Sequence, residues 1–333
     1  MKKKILILGG AGFVGHNLAL KLSKLNYIVS VVDALHVNNL ISVLSNEDKL
    51  PYPELSQKIV FERINILKKN KINFFIQDIR DYHALSEIFR KIKPNVIIHL
   101  AAVSHSNRSN KNPFTTFDNS LRTLENALDS ARGYKDIHFI YFSSSMVYGD
   151  FKKIRVKEDD ECNPIGIYGA LKFAGEKIVI AYNQVFNLKY TIIRTSALYG
   201  ERCISRRVGQ IFIENAINNK PIIVNGSGKE KLDFTNINDL VEGLVKVIKY
   251  KKSHNQIFNL TFGKAQEINE LIKILKKYFP KLKIKYKKKE KLVPKRGTLA
   301  IDKAQKLINY KPKWNLDKGY KKYIDWYIKL LDK

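Results

Sequence analysis

The chain has 333 residues, 44% apolar and 27% charged, with two cysteines and a formal net charge of +29. This length fits one large domain or two coupled ones, and such a chain buries enough surface to fold without disulfide staples. Cys162 and Cys203 are too few for a disulfide scaffold and too distant in sequence for a zinc pair, and no run of 18 apolar residues offers a membrane-spanning helix. The start, Met1 to Lys4 before the apolar Ile5 to Leu8, imitates a signal peptide, but the run ends at glycines after four residues and no cleavage site follows. The expectation is a cytoplasmic protein with reduced thiols and no bound metal.

A charge of this size makes a polyanion a partner to weigh. Only 12 of the 60 basic residues are arginine, the side chain whose planar fork reads bases and phosphates. The 48 lysines are scattered and thicken toward the C-terminus, as in 285–291. A solvated lysine surface is the favoured reading, with no specific nucleic-acid partner. A functional contact with a polyanion or a membrane surface is the alternative.

In chain order, Lys4 to Leu8 reads as a strand, Phe13 to Leu25 as a helix and Tyr27 to Asp33 as a second strand. The segment 34–73 is long for a connection and is expected to hold a helix or two. Strands follow at Phe74 to Asp78, Val96 to Leu100, His138 to Ser143 and Tyr190 to Arg194, with helices at Tyr82 to Lys91 and Phe117 to Ser130. Apolar, β-branched runs alternating with helices specify a parallel sheet covered on both faces. After about residue 200 helices and short strands mix, as expected of a smaller lobe over the C-terminal edge of the sheet. The division expected is 1–198 and 199–333, interleaved.

Gly9-Gly10-Ala11-Gly12-Phe13-Val14-Gly15 follows the first strand and opens the first helix. Gly9 allows the tight turn, Gly12 lets backbone approach a pyrophosphate, and Gly15 lets helix and strand pack closely. The helix N-terminus adds free amides and positive potential. Asp33 stands eighteen residues beyond Gly15, at the end of the second strand, where an acid accepts from ribose hydroxyls and repels a 2′-phosphate. With no Arg or Lys close behind it, NAD is expected rather than NADP. The fold class is thus a doubly wound, Rossmann-type α/β sheet with a smaller C-terminal α/β lobe.

Tyr168 and Lys172 lie four residues apart, on one face if helical. A phenol acting as a base near pH 7 needs roughly 3 units of depression from an ordinary value of about 10, which an ammonium and an oxidised nicotinamide can provide. Ser143-Ser144-Ser145, ending a strand, brings hydroxyls to the same cleft.

These features resemble the extended short-chain dehydrogenase/reductases, in particular the nucleotide-sugar epimerases and dehydratases. The resemblance is carried by residues 9–15, Asp78-Ile79-Arg80-Asp81, His99-Leu100-Ala101-Ala102, the Ser-Ser-Ser-Met-Val-Tyr-Gly run at 143–149 and the Tyr168/Lys172 pair. It continues in Arg194 to Gly200, Leu232-Asp233-Phe234, Asn238-Asp239-Leu240 and Lys311-Pro312-Lys313-Trp314, and so covers nearly the whole chain. It implies that Gly9, Gly12, Phe13, Val14, Gly15, Asp33, Asp78, Ile79, Leu100, Ala101 and Ala102 line the NAD site, with Asp78 and Ile79 flanking the adenine. Tyr168 would be the base, Ser144 the catalytic hydroxyl, and Lys172 the group that makes the phenol acidic and holds the nicotinamide ribose. Arg296 would grip the diphosphate of a UDP- or GDP-linked sugar bound by the second lobe. Ser104, Ser145, Arg206 and Arg207 complete the expected substrate contacts. Oxidation at C4 in surface-glycan precursor synthesis follows, as a 4-epimerase or a 4-dehydrogenase. A homodimer paired through helices 117–130 and 168–186 is also implied.

The sequence departs from the family pattern in four places. Ser145 and Met146 stand where the 4,6-dehydratases carry an Asp-Glu pair, and neither can move a proton at neutral pH. A dehydratase or 4-keto reductase is therefore the second choice, and a non-catalytic Rossmann protein with a polyanion-binding surface the alternative of another class. Ala197 replaces an Asn, and Leu232 replaces an Arg, that often contact substrate. The unusual segment Arg202 to Arg207 is either their replacement or an exposed basic loop. His105, Asn107 and Arg108 occupy an expected substrate-facing loop, whereas His99 reads as a core histidine, Cys203 as no nucleophile, and Trp314 and Trp326 as packing residues.

Overall fold

The computed structural model describes residues 2–332 except 47–48, 105 and 289–291. The first half runs β1 (Lys4–Leu8), α1 (Phe13–Lys24), β2 (Ile28–Asp33), α2 (Leu40–Ser45), α3 (Pro53–Lys69), β3 (Asn73–Ile76), α4 (Tyr82–Ile92) and β4 (Val96–His99). After β4 come α5 (Ser106–Lys111), α6 (Pro113–Phe117), a π-turn at Asp118–Arg122, α7 (Thr123–Arg132) and β5 (His138–Phe142). A 3₁₀ turn at Ser145–Tyr148, β6 (Arg155–Val156), α8 (Gly166–Phe186) and β7 (Lys189–Arg194) follow.

The second half contributes β8 (Leu198–Tyr199), α9 (Val208–Ile217), β9 (Ile222–Asn225), β10 (Lys231–Leu232), β11 (Thr235–Asn236), α10 (Ile237–Lys249) and β12 (Gln256–Asn259). It ends with β13 (Gln266–Glu267), α11 (Ile268–Tyr278), β14 (Ile284–Lys287), β15 (Thr298–Leu299), α12 (Asp302–Ile308) and α13 (Leu316–Leu331).

Seven strands form one parallel sheet in the order β3-β2-β1-β4-β5-β7-β12. Strand β1 shows why it is buried on both faces. Ile5 and Ile7 join a core with Leu18 and Leu22 of α1 and Leu240 and Leu244 of α10. Leu6 and Leu8 join the opposite core, with Leu85 and Phe89 of α4 and Leu124 and Leu128 of α7. The period of two in a strand sends alternate side chains to each layer. Chain order reverses between β1 and β4, which opens a crevice at their C-terminal ends, where ligands of such sheets bind.

Several boundaries differ from the sequence expectations for local physical reasons. The third strand stops at Ile76 because Asp78 Oδ1 accepts from the Arg80 amide at 2.9 Å and turns the chain. The helix expected at 117–130 starts earlier, at Pro113 after the Asn112 cap, and the π-turn at Asp118–Arg122 interrupts it. The long segment 34–73 holds two helices, α2 and α3. The seventh strand comes from the second half: Gln256–Asn259 pairs with Thr191–Arg194.

The smaller lobe is built on the parallel β9–β14 pair, the β10–β13 ribbon, α9 and α11. Its core is continuous with that of the sheet, running through Phe212, Ile222, Leu271, Tyr320, Tyr323 and Tyr327. This shared core fixes the two walls of the crevice relative to each other. Among the described residues no helix is long and apolar enough to cross a membrane.

Candidate active site

The glycine loop sets the first wall. Gly9 has φ +81°, and a Cβ on it would lie 2.8 Å from the Ala101 amide nitrogen, so the loop packs against the end of β4 as only glycine permits. A Cβ at Gly15 would meet Gly9 O at 2.5 Å, which holds α1 against the loop. Helix α1 begins after Gly12 with no side-chain cap, leaving its first amides for an anion. Asp33 at the end of β2 accepts from the amides of Ala11 at 2.9 Å and Leu35 at 2.8 Å, and from Asn39 Nδ2 at 3.3 Å. Burial pushes its carboxyl up while these donors pull it back. Burial also works against the charged form of Asp78, but Arg80, bound at 2.6 Å, outweighs it and holds that carboxyl below its usual range. A bare glycine cradle, an uncapped helix start and a carboxylate at the end of β2 fit a dinucleotide with an unphosphorylated ribose.

Helix α8 and the end of β5 build the second wall. α8 approaches closely because it carries glycines: a Cβ at Gly169 would lie 2.8 Å from Met146 O, and one at Gly175 would lie 2.2 Å from Tyr141 Oη. Tyr168 is half-buried and Lys172 buried on the face toward β5. Lys172 Nζ donates to Phe142 O at 2.7 Å. Burial pulls the Lys172 ammonium down to about 8, against the charge of Glu176. Ser144 Oγ accepts from the Met146 amide at 3.2 Å, which leaves its hydroxyl hydrogen free to donate.

The far end of the crevice carries arginines from the second lobe. Arg296 follows a segment pinned by Lys295 N to Asp150 Oδ1 at 2.5 Å and by Phe151 N to Lys295 O at 2.8 Å. Burial, and then the charge of Arg207, pull its ionisation down to about 10. The buried Arg207 Nε has no hydrogen-bond partner. Among the described residues no carboxylate pairs with Arg207 or Arg296. Arg206 is different, because its Nη1 lies 3.4 Å from Glu214 Oε2, a carboxylate that also accepts from Gln210 and from Tyr327 Oη, each at 2.9 Å.

The two walls and the arginines enclose one cavity of about 920 Å³, near the top of the range for ligand pockets. It runs from the glycine loop, Asp33, Asp78 and Ile79 past Leu100, Ala101, Ala102, Ser104, Ser144, Ser145, Tyr168 and Lys172 to Arg206, Arg207 and Arg296. The glycine-loop, Asp33, catalytic and arginine positions expected from the sequence therefore lie along the same cleft. Met146, Ala197 and Leu232 also line it, so the departures from the family pattern face the cavity.

Other expectations resolve individually. The segment Arg202 to Arg207 is not an exposed loop, because Cys203, Ile204 and Ser205 are buried. Arg202 is taken up by Glu62 at 3.0 Å and Glu201 at 3.2 Å and packs over Trp326, so it does not line the cleft. His99 is a core residue, its imidazole pulled down to about 3 by burial and then by the Lys172 charge. Cys203 is buried and its thiol pushed up by burial, a poor nucleophile. Trp326 stacks on Tyr323, and Trp314 lies under Lys318 and Lys322. Asn107 lines the cleft, Arg108 does not, and His105 lies outside the described residues. The sequence reading missed Asn38, Thr195, Ser196, Ile223 and Leu292 along the cleft. Thr195 and Ser196 sit inside the Arg194 to Gly200 motif, which could have pointed to them, whereas Asn38, Ile223 and Leu292 sit in no spaced motif.

A model of the NAD dependent epimerase/dehydratase family matches residues 5–261. The chain belongs to that family. It is similar to a putative UDP-glucose 4-epimerase of Methanocaldococcus jannaschii, at 31% identity over 97% of each chain. Its fold is similar to that of the UDP-glucose 4-epimerase of Thermotoga maritima solved with UDP-glucose, with TM-score 0.86, 26% identity, and 98% and 99% of the two chains covered. It is equally similar to the UDP-glucuronic acid 4-epimerase of Bacillus cereus solved with UDP-glucuronic acid and NAD, with TM-score 0.86, 25% identity, and 98% and 99% covered. The sheet order and the glycine-loop crevice are those of an NAD-dependent Rossmann enzyme of this family.

Proposed function

We propose that this chain interconverts the C4 epimers of a UDP-linked sugar, using bound NAD. The observation that carries this reading is the single cleft lined by the glycine loop, by Ser144, Tyr168 and Lys172, and by Arg207 and Arg296, two guanidiniums with no carboxylate partner among the described residues. Gly9, Gly12, Asp33 and Ala101 would hold the dinucleotide, and Lys172 its nicotinamide ribose. NAD, when bound, supplies the acceptor for the C4 hydride and later its donor.

The remaining steps belong to the chain's own residues. Tyr168, as phenolate beside the Lys172 ammonium, takes the proton of the C4 hydroxyl while that carbon loses its hydride and becomes a ketone. Ser144 donates to the same oxygen. Arg207 and Arg296 keep the diphosphate fixed, as paired guanidiniums suit two phosphates. With the nucleotide held, the keto sugar turns its other face, and the small side chains of Ser104, Ser145 and Ala197 leave room for it. Tyr168 then returns the proton. Ser145 and Met146 offer no acid or base for loss of a C6 hydroxyl, which weighs against dehydration. We also take the division 1–198 and 199–333 as two interleaved units, with β12 and α10 lent to the first. A homodimer through α8 and the helical stretch that runs from α6 into α7 is part of the proposal: Phe114 and Phe117 on α6 are 82% and 52% exposed and Val185 on α8 is 69% exposed, which leaves apolar side chains at the surface of both.

Proton NMR of UDP-glucose, UDP-galactose and UDP-glucuronic acid incubated with the purified chain tests the reading. The expected result is conversion at C4 without net NADH. Stoichiometric NADH with a released 4-keto sugar would instead make it a 4-dehydrogenase, and no change in any UDP-sugar would overturn the proposal. Tyr168→Phe is expected to slow turnover by about 10²–10⁴.

A further inference from the structure

Lys172 must be charged to favour a phenolate beside it, yet burial drives it toward the neutral amine. The next turn of the same helix answers this. Tyr168, Lys172 and Glu176 fall at i, i+4 and i+8 on one face of α8, and Glu176 is completely buried. Its carboxylate joins three elements. Oε1 accepts from Ser143 Oγ at 2.5 Å and from Arg194 Nε at 2.9 Å, and Oε2 accepts from Arg194 Nη2 at 2.7 Å. Ser143 lies between Phe142, whose carbonyl accepts from Lys172, and Ser144, the proposed catalytic hydroxyl. Arg194 ends β7 just before Thr195 and Ser196, which line the cleft.

We infer that Glu176 is a positioning residue for the oxidation step: a buried counter-charge that keeps Lys172 an ammonium and pins its helix to the strand end carrying Ser144. This deepens the proposed C4 chemistry and rests on it. The other groups facing Lys172 cannot take this role. Tyr141, whose ring centre is 5.2 Å from Nζ, is held neutral by burial and then by the charge of Glu176. His99 on β4 is neutral because of burial and then the Lys172 charge. Tyr168 carries the proton being moved. Arg194 is a second buried cation, which would repel Lys172 if the carboxylate between them were removed. One carboxylate thus serves two cations, and loss of its charge leaves both uncompensated.

The test is Glu176→Gln, which keeps the shape and one acceptor oxygen but removes the charge. Turnover of UDP-sugar by the holoenzyme is followed across pH, together with ¹³C NMR of the full chain labelled at lysine Cε. The resonance near pH 8 that is missing from Lys172→Met reports Lys172. The expected result is that the alkaline limb of turnover and the Lys172 titration both move down by about one pH unit or more, with UDP affinity unchanged. A one-unit move cuts the charged fraction at pH 8 from about half to about a tenth, a roughly fivefold loss there and less at lower pH. A uniform loss of turnover with both titrations in place would mean a merely structural role and would overturn the inference. If the glutamine variant does not fold, Glu176→Asp takes its place, since it keeps the charge but withdraws it by one methylene. It should give a smaller shift in the same direction, and no shift again refutes the role. The Lys172 titration is readable without substrate, so failure of the proposed function, seen as no sugar chemistry in the wild type, stays separate from failure of this inference.

Discussion

Replacing Arg296 by methionine should move binding and stability in opposite directions. Among the described residues no carboxylate pairs with the guanidinium, and its ionisation is held down to about 10 by burial and then by Arg207. Against an ordinary arginine that depression corresponds to at most about 3 kcal/mol of cost to the charged form in the folded chain. Part of the side chain still opens onto the cleft, so screening reduces the cost to about 1–2 kcal/mol. Methionine keeps most of the apolar stem and removes the charge. For a chain of 333 residues the ligand-free variant should therefore melt about 1–3 °C higher than the wild type. Its affinity for UDP should fall by about 10- to 150-fold, because a hydrogen bond to a charged group contributes about 1.5–3 kcal/mol. Thermal melts with and without UDP, and titration calorimetry with UDP, measure both quantities on the full chain. A ligand-free variant that melts below the wild type, or one that binds UDP within about twofold of it, would show that Arg296 is a structural arginine and not part of a diphosphate site.

Three other outcomes follow from the same structure. Asp33→Ser should weaken NAD by about 10-fold or more and raise the NADP/NAD preference, measured by fluorescence titration; an unchanged preference would remove Asp33 from the ribose site. It should also lose about 1–2 kcal/mol of stability, because the Ala11 and Leu35 amides lose their acceptor. Burial, then His254, pulls His138 down to about 3, so the folded chain keeps it neutral while the unfolded chain protonates below about pH 6.5. Stability is then full above pH 6.5 and lost as pH falls toward 3, by up to about 1.4 kcal/mol per pH unit for this histidine. His138→Gln should flatten that loss in urea midpoints taken from pH 7 to 4.5, and an unaltered slope counts against the assignment. Finally, Phe114→Lys with Phe117→Lys should convert a dimer to a folded monomer in light scattering, whereas a wild type that is already monomeric refutes the dimer.

The legible parts of the fold are those whose signals are local. Lys4 to Asp33 reads correctly because a β-branched run, a glycine turn, an amphipathic helix and a second run follow within one βαβ unit. Tyr168 and Lys172 need only helical spacing. The strand at Gln256–Asn259 was not legible, because four residues between a helix and a loop carry no period and its partner, Thr191–Arg194, lies more than sixty residues upstream. The same holds for charges. Adjacent arginines at 206 and 207 look equivalent in sequence, but Glu214, fixed by Gln210 and Tyr327, pairs with one and leaves the other. Arg202, the first arginine of the same segment, is used inside the protein by Glu62 and Glu201, with its own carbonyl accepting from the buried Arg63 at 2.8 Å. Sequence names the groups that can bind an anion, and packing decides which of them remain available.

That distinction also limits what the net charge of +29 can mean. An exposed lysine interacts through a high dielectric and is screened within about 8–10 Å at physiological salt, so dozens of them confer solubility more than function. Charges withdrawn from water act at much lower dielectric, where imbalance is costly. Several cations in and around this cleft have carboxylates of their own. Lys172 and Arg194 share Glu176, and Arg80 is bracketed by Asp78 and Asp118, both at 2.6 Å. Arg207 and Arg296 have no carboxylate partner among the described residues, and both line the cavity. Two fixed positive charges without acids are balanced by a ligand that brings two negative charges to them. A nucleotide diphosphate does so, whereas a neutral sugar or a free alcohol would leave the same cost in place. The unbalanced pair thus restricts substrates by charge before any contact with the sugar is considered.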